Sequence, residues 1–236
     1  MAATLSPGRL PPAGRLPRGL FALALLAGLG LAGCKSSAGP ARNISGEQTP
    51  RPSAEEDALY IAIIRNMIER DQSQAALAFL DDYLKRRPGD VEALTLKGEA
   101  LLRTGQIDEA DKVYIELDRR RVQPVAAFGL GQVRAKVGDW KGAVPQFARA
   151  AASAPTDPRV LNNYGFALLN TEDYAKAYGV LARAAQISPQ NQQIRTNFAI
   201  AAFKGGREAE VEQILAPIPA AERPNVLSFV RSWKPS

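Results

Sequence analysis

Residues 124–157 read PVAAFGLGQVRAKVGDWKGAVPQFARAAASAPTD, and residues 158–191, which follow directly, read PRVLNNYGFALLNTEDYAKAYGVLARAAQISPQN. The two stretches are equal in length, and they align without a gap. Each places a glycine, an alanine, a large apolar residue and a proline at matching positions. Self-similarity at a fixed period of this length predicts an array of small structural units that stack on one another.

The same period continues on both sides of this pair. A glycine, an alanine and a large apolar residue one helical turn after the alanine recur at nearly constant intervals. The recurring positions are Gly98, Gly131 and Gly165; Ala76, Ala110, Ala143 and Ala177; Leu80, Tyr114, Phe147 and Leu181; and, near the ends of units, Pro88, Pro155 and Pro189. The repetition therefore organises most of the chain.

The residue types at these positions indicate pairs of antiparallel helices. Small residues such as Gly131 and Ala143 let two helix backbones approach closely, and Phe147 fills the space between one unit and the next. The glycines in LRTGQ (102–106) and KVGD (136–139) suit the point where the first helix of a unit ends. Proline ends the second helix because it has no N–H to donate.

This pattern resembles the tetratricopeptide repeat (TPR), in which no unit buries its apolar face alone and several must stack. The resemblance implies an all-α fold, a TPR solenoid of antiparallel helix pairs over residues 56–219. We count five repeats, at 57–90, 91–123, 124–157, 158–191 and 192–219. The first and the fifth depart from the pattern, with Ile64 in place of glycine and Val211 in place of alanine, as expected of terminal repeats.

Residues 220–236 follow the repeats and carry apolar side chains at helical spacing, at Val226, Phe229, Val230 and Trp233. An apolar stripe of this kind usually faces a protein core. We therefore expect a short helix that caps the last repeat. An amphipathic contact with a membrane surface is the alternative interpretation.

Residues 1–33 have the organisation of a bacterial secretory signal peptide. A basic start is followed by an uncharged run, residues 19–33, which is too short to span a bilayer. The tetrapeptide LAGC (31–34) then resembles the lipobox of bacterial lipoproteins. That resemblance implies that Cys34 is the lipidated first residue of the mature chain and that residues 34–55 form a flexible tether. An ordinary buried cysteine is the alternative.

The residue after the cysteine indicates whether the inner or the outer membrane holds the anchor. In enterobacterial lipoproteins an aspartate at this position favours retention in the inner membrane, whereas this chain has Lys35. We therefore expect a lipoprotein of the outer membrane that faces the periplasm.

Composition excludes several function classes. The chain has no histidine and a single cysteine, so a Ser–His–Asp triad, a Cys–His pair and an internal disulfide are impossible. We expect no enzymatic activity, metal, cofactor or small-molecule substrate. The formal charge is +6, but three of the 30 basic residues and none of the 24 acidic ones precede Cys34, which leaves the mature chain at +3. That charge is too small and too evenly spread to indicate nucleic-acid binding.

In TPR solenoids the first helix of each repeat lines a concave groove, at positions 2, 5, 9 and 12 of the unit. Carried over to the third, fourth and fifth repeats, these positions imply a peptide-binding groove formed by Phe128, Gln132, Arg159, Asn162, Phe166, Gln193, Thr196 and Ile200, to which we add Asn163 and Asn197 from position 6. Asn163 and Asn197 are separated by one full repeat and so occupy equivalent places. In some TPR proteins such asparagines hydrogen-bond the backbone of an extended peptide, because an amide both donates and accepts. Alternatively, these amides satisfy neighbouring helix ends.

Residues 159–215 are similar to a more specific group, the TadD family of TPR lipoproteins of the tight-adherence (Flp) pilus system. The similarity lies in LNN (161–163), LARAAQISP (181–189), IRTNFA (194–199) and GR (206–207), with Phe198 where the family has leucine. It implies a pilotin-like or scaffolding role, with the outer-membrane secretin or another pilus component as the protein partner. The alternative is a TPR lipoprotein adaptor in outer-membrane biogenesis or in the regulation of cell-wall enzymes.

Overall fold

The computed structural model describes residues 53–236, so the leader, Cys34 and most of the predicted tether lie outside the described range. Within that range the chain forms eleven α-helices and no β-strand. The helices are α1 (Ala54–Glu69), α2 (Ser73–Arg86), α3 (Val91–Arg103), α4 (Ile107–Arg119), α5 (Val125–Lys136), α6 (Trp140–Ser153), α7 (Pro158–Asn170), α8 (Tyr174–Ile187), α9 (Gln192–Lys204), α10 (Glu208–Leu215) and α11 (Arg223–Ser232). The expected all-α fold is confirmed, with one helix pair for each repeat. None of these helices combines the length and apolar character needed to cross a membrane.

The first helix begins earlier than predicted. The predicted tether, residues 34–55, includes Ala54 and Glu55, which the structure places in α1. The hydroxyl of Ser53 accepts a hydrogen bond from the N–H of Glu56, and the Glu56 carboxylate accepts one from the N–H of Ser53 at 2.6 Å. A reciprocal capping box of this kind fixes the start of a helix.

Short polar side chains start the first helix of three later repeats. The side-chain oxygens of Asp90, Asp157 and Asn191 accept hydrogen bonds from backbone N–H groups in the first turns of α3, α7 and α9, at 2.9, 2.9 and 3.1 Å. Such a cap typically contributes about 1 kcal/mol, because it satisfies an N–H that has no partner within the helix.

The turn inside each repeat contains one residue in the left-handed conformation, always at the fifteenth position of the unit. Glycine occupies this position in three repeats, at Gly105, Gly138 and Gly206, with φ of 77°, 76° and 77°. Asp71 and Glu172 adopt the same conformation in the first and fourth repeats, with φ of 58° and 61°. The glycine turns predicted for the second and third repeats are confirmed. In the other two the repeat period, rather than the residue type, fixes the turn.

The repeated small and large residues form the core of each helix pair. Every alanine of the repeat pattern is 0% exposed, and the large residues four positions later are at most 3% exposed. A Cβ added to Gly131 would lie 2.6 Å from the ring of Phe147, and one added to Gly165 would lie 2.3 Å from Leu181. Since no other residue lacks a Cβ, glycine is what permits this close approach of the two helices.

The helix α11 closes the end of the stack. It packs against α9, and Val230 and Trp233 are 0% and 8% exposed, while Val226 is half-buried. The prediction of a capping helix therefore holds for these three residues. It is wrong for Phe229, which is 53% exposed. Successive residues of a helix are rotated by about 100°, so Phe229 turns towards solvent when Val230 faces the core.

Candidate peptide-binding groove

The first helices of consecutive repeats line a cavity of about 530 Å³ on one side of the stack, which we call the groove. Helices α3, α5 and α7 contribute most of its wall, and the start of α9 closes one end. Six of the ten predicted groove residues lie there: Phe128, Gln132, Arg159, Asn162, Asn163 and Gln193. The structure therefore brings the predicted positions of three repeats to one surface.

The groove also contains residues that the sequence did not single out. The helix α3 contributes Thr95, Glu99 and Leu102, which are positions 5, 9 and 12 of the second repeat. The rule that positions 2, 5, 9 and 12 of a repeat face the groove, which we call the position rule, predicts these three residues once it is applied to the second repeat as well. Arg103 and Lys136 line the groove from position 13 of their repeats, which the rule leaves out.

Ile200 does not lie in the groove as predicted. It is 0% exposed and belongs to the core, whereas Gln132 and Phe166, which occupy the same position in earlier repeats, are half-buried. The reason lies in the C-terminal segment. Because α11 packs against α9, and Val230 and Trp233 belong to the same buried cluster as Ile200, this position of the fifth repeat is covered.

Phe166 and Thr196 are also outside the groove lining. The ring of Phe166 packs edge-on against Trp140, with the two ring centroids 5.4 Å apart. The hydroxyl of Thr196 donates a hydrogen bond to the carbonyl of Gln192, one turn earlier in α9, at 2.8 Å. Both side chains are therefore engaged by neighbours within the fold.

Asn162 and Asn197 form a buried amide pair. Nδ2 of Asn197 donates to Oδ1 of Asn162 at 2.9 Å, and this bond joins α9 to α7. Asn163, which is equivalent to Asn197 in the repeat, instead donates from Nδ2 to the carbonyl of Arg159 at 2.8 Å. The expected equivalence of Asn163 and Asn197 therefore does not extend to their contacts. Asn197 turns to Asn162 because the fourth repeat places that second asparagine beside it.

Basic side chains outnumber acidic ones in the groove. Glu99 is the one carboxylate of the lining, and it pairs with Arg103 at 2.9 Å. Arg159 pairs with Asp157 at 3.1 Å, although 81% of the arginine side chain is exposed. Lys136 is exposed and forms no ion pair with another residue of 53–236. A segment that carries acidic side chains is the electrostatic complement of this lining.

The pair at the start of α7 keeps both of its charges at neutral pH. Burial alone would raise the pKa of Asp157, but hydrogen bonds from the side chain and the backbone N–H of Arg159 outweigh burial and lower that pKa. The same side-chain hydrogen bond raises the pKa of Arg159. Asp157 therefore both caps the helix and holds a cationic side chain at the edge of the groove.

The chemistry of the groove is that of a binding surface. Val125, Phe128 and Ile194 supply apolar contact, and amide side chains beside them can both donate to and accept from a peptide backbone. Between Ser53 and Ser236, no cluster of three or more histidine, cysteine, aspartate or glutamate side chains could hold a metal ion.

Comparison with known sequences identifies the repeats. A sequence model of the tetratricopeptide repeat matches residues 67–132 and 169–229, and a second tetratricopeptide repeat model matches residues 128–192. The "TPR repeat-containing protein PA4299" of Pseudomonas aeruginosa is 27% identical over 194 residues, which cover 80% of this chain and 77% of that protein. The "BBSome complex member bbs-4" of Caenorhabditis elegans is 26% identical over 155 residues, 64% of this chain. The matched region spans 33% of the length of that protein.

Solved structures show the same fold. MamA from Desulfovibrio magneticus RS-1, residues 41 to the end, superposes with a TM-score of 0.58 and is 22% identical, covering 75% of this chain and 96% of that one. A crystal structure of MamA protein gives a TM-score of 0.56 at 16% identity, covering 72% of this chain and 93% of that one. At these identities the likeness shows the helical fold alone.

Proposed function

The chain belongs to the tetratricopeptide repeat family, and from that premise we propose that it is a lipid-anchored scaffold for the assembly of tight-adherence (Flp) pili. Its repeats serve protein–protein interaction, and the fold is typically non-enzymatic. The partner is the outer-membrane secretin or another pilus component, and the groove holds an extended or helical segment of it. The anchor is Cys34, at the periplasmic face of the outer membrane.

The groove is the observation that carries the proposal. It joins an apolar floor at Phe128 to amide side chains and to the cationic side chains of Lys136 and Arg159, of which Arg159 is paired with Asp157. A partner segment that alternates apolar and acidic residues satisfies all three features at once. Charge complementarity of this kind accelerates encounter and fixes register more than it adds affinity.

The anchor supports a membrane-surface role. Acyl chains on Cys34 would confine the repeats to the membrane and raise their effective concentration around a partner embedded there.

The pilus assignment itself is supported by the similarity of residues 159–215 to the TadD family. In that stretch Arg195 donates to the carbonyls of Pro189 and Ile214, at 2.7 and 3.1 Å, and so ties α9 to its neighbours.

A charge reversal in the groove tests the proposal. Tagged protein is isolated with its partners from detergent-solubilised membranes, and the partners are identified by mass spectrometry. We expect Lys136→Glu to recover about a tenth as much of the secretin or other pilus component, because it places a carboxylate against an acidic segment. Lys85→Glu is the matched control, since Lys85 is exposed on α2 outside the groove lining and the change in net charge is the same.

Two outcomes would overturn parts of the proposal. Equal recovery of the pilus component with Lys136→Glu and Lys85→Glu would exclude the groove as the binding surface. Recovery of cell-wall enzymes or outer-membrane biogenesis proteins, without any pilus component, would exclude the pilus role and support the alternative adaptor function.

The lipid anchor has its own test. In cells labelled with a palmitate analogue, the wild-type chain is expected to carry the label, and Cys34→Ser is expected to carry none. The chain contains one cysteine, so no second thiol can take the lipid. A Cys34→Ser chain that still incorporates the label would contradict the lipobox assignment.

A further inference from the structure

The C-terminal residues fold back from α11 onto the fourth and third repeats. The backbone N–H and the hydroxyl of Ser236 both donate to Oδ1 of Asn170, at 2.9 and 2.8 Å. The indole Nε1 of Trp140 donates to the main-chain oxygen of Ser236 at 3.1 Å. Asn170 is oriented for this contact by its own Nδ2, which donates to the carbonyl of Phe166 at 2.9 Å.

The repeat register places this contact on the groove side of the solenoid. Asn170 is position 13 of its repeat, and the same position is occupied by Arg103 and Lys136, both of which line the open groove. Position 9 is half-buried in the fourth repeat, at Phe166, but fully buried in the fifth, at Ile200. The C-terminal segment therefore covers the continuation of the groove into the last two repeats.

We propose that Trp140, Phe166 and Asn170 form a second peptide site that binds the backbone of an extended segment and that residues 233–236 of this chain occupy it in cis. Two of its three hydrogen bonds go to main-chain atoms of Ser236, its N–H and its main-chain oxygen, so the site binds main-chain atoms more than side chains. An extended segment of a partner protein, with an aromatic residue and then a small polar one, has the chemistry to displace it. This inference rests on the proposed function, since the displacing segment belongs to the partner of the groove.

Residues 234–236 are held weakly enough to be displaced. Trp233 is 8% exposed and anchors it, whereas Lys234, Pro235 and Ser236 are exposed. Hydrogen bonds to exposed groups contribute little net stability, because water replaces them when they break. Release of residues 234–236 would therefore expose the hydrogen-bonding groups of Trp140 and Asn170 at small cost, while Trp233 stays buried and keeps position 9 of the fifth repeat covered.

The two tryptophans of the chain, Trp140 and Trp233, both lie at this site, so intrinsic fluorescence reports on it directly. In a full chain carrying Trp233→Phe, the remaining Trp140 has its Nε1 bound to Ser236. We expect Asn170→Leu in that background to increase acrylamide quenching of Trp140 at least twofold, because the acceptor for Ser236 is gone. Asn170→Asp loses the same Nδ2 bond but keeps an acceptor oxygen for Ser236, so its quenching should stay below that of Asn170→Leu.

A peptide in trans completes the test. The probe is Arg-Ser-Phe-Lys-Pro-Ser, which is residues 231–236 with phenylalanine for Trp233 and is silent in tryptophan fluorescence. Added to the chain that lacks residues 233–236, it should saturably lower the acrylamide quenching of Trp140 to the level of the full chain that carries Trp233→Phe. It should bind at least tenfold more weakly to the full chain, where the tethered segment competes at high effective concentration.

Either of two results would overturn the inference. Identical quenching of Trp140 in Asn170→Leu and Asn170→Asp would mean that the segment does not occupy the site in solution. Equal affinity of the peptide for the full and the shortened chain would mean that it binds elsewhere. Neither measurement uses a partner protein, so these results are independent of whether Lys136→Glu reduces recovery of a pilus component.

Discussion

Phe147→Ala should lower the free energy of unfolding by about 3–5 kcal/mol, the cost of truncating a buried aromatic residue to alanine. The side chain is 1% exposed, and its ring lies against Gly131 and 5.8 Å from the ring centroid of Phe128. It thus joins α6 to α5 within the third repeat. Urea denaturation followed by far-ultraviolet circular dichroism measures the change.

Phe147→Ala should also distort the groove. Phe128 lines the groove and packs on Phe147, so truncation below it removes the support of the apolar floor. Repeat stability is a sum of unit and interface contributions, and a gap in the central repeat weakens the contacts to both neighbours. Phe147→Ala is therefore expected to broaden the unfolding transition as well as to shift it.

Phe229→Ala is the matched control, because it makes the same chemical change on α11 where the side chain is 53% exposed. A surface substitution of this kind is expected to stay within about 0.5 kcal/mol of the parent. A Phe147→Ala variant no less stable than Phe229→Ala would mean that the repeat register derived from the alanine and glycine positions is wrong.

The fold could be predicted because one physical pattern recurs. Small residues face large ones where the two helices of a repeat touch, as Gly131 faces Phe147 and Gly165 faces Leu181, and that arrangement recurs from unit to unit. The period even locates features that residue type does not signal. Asp71 and Glu172 adopt a left-handed conformation that suits glycine, since the turn geometry of each repeat demands it at the fifteenth position.

The groove could be predicted less completely, because its surface depends on what covers it. Ile200 follows the position rule, yet the C-terminal segment that carries Val230 and Trp233 buries it, and no local pattern in α9 signals that contact. Asn197, predicted for the groove from its equivalence to Asn163, is buried, and its amide donates to Asn162 on α7. Periodicity fixes the backbone position of a residue, whereas the exposure of its side chain is decided by long-range neighbours.

Gly129→Ala should destabilise the protein by about 2 kcal/mol, although alanine favours helix by about 1 kcal/mol over glycine. The added Cβ would lie 2.1 Å from Cδ1 and Cε1 of Tyr114, far inside contact distance. The ring cannot withdraw, because on its other side a Cβ on Gly98 would lie 2.6 Å from its Cζ. Tyr114 is 3% exposed, and burial raises the pKa of its hydroxyl. Thermal and urea unfolding measure the loss.

Two further variants separate this clash from helix propensity. Gly179→Ala lies within α8 with nothing near its added Cβ, so it should stabilise the protein by about 0.5–1 kcal/mol. Leucine occupies the position of Tyr114 in the first and fourth repeats, at Leu80 and Leu181. Tyr114→Leu should therefore recover part of the stability lost in Gly129→Ala, since the smaller side chain leaves room for the methyl group. Strict additivity of the two changes would show that the ring of Tyr114 is not what makes glycine necessary at position 129.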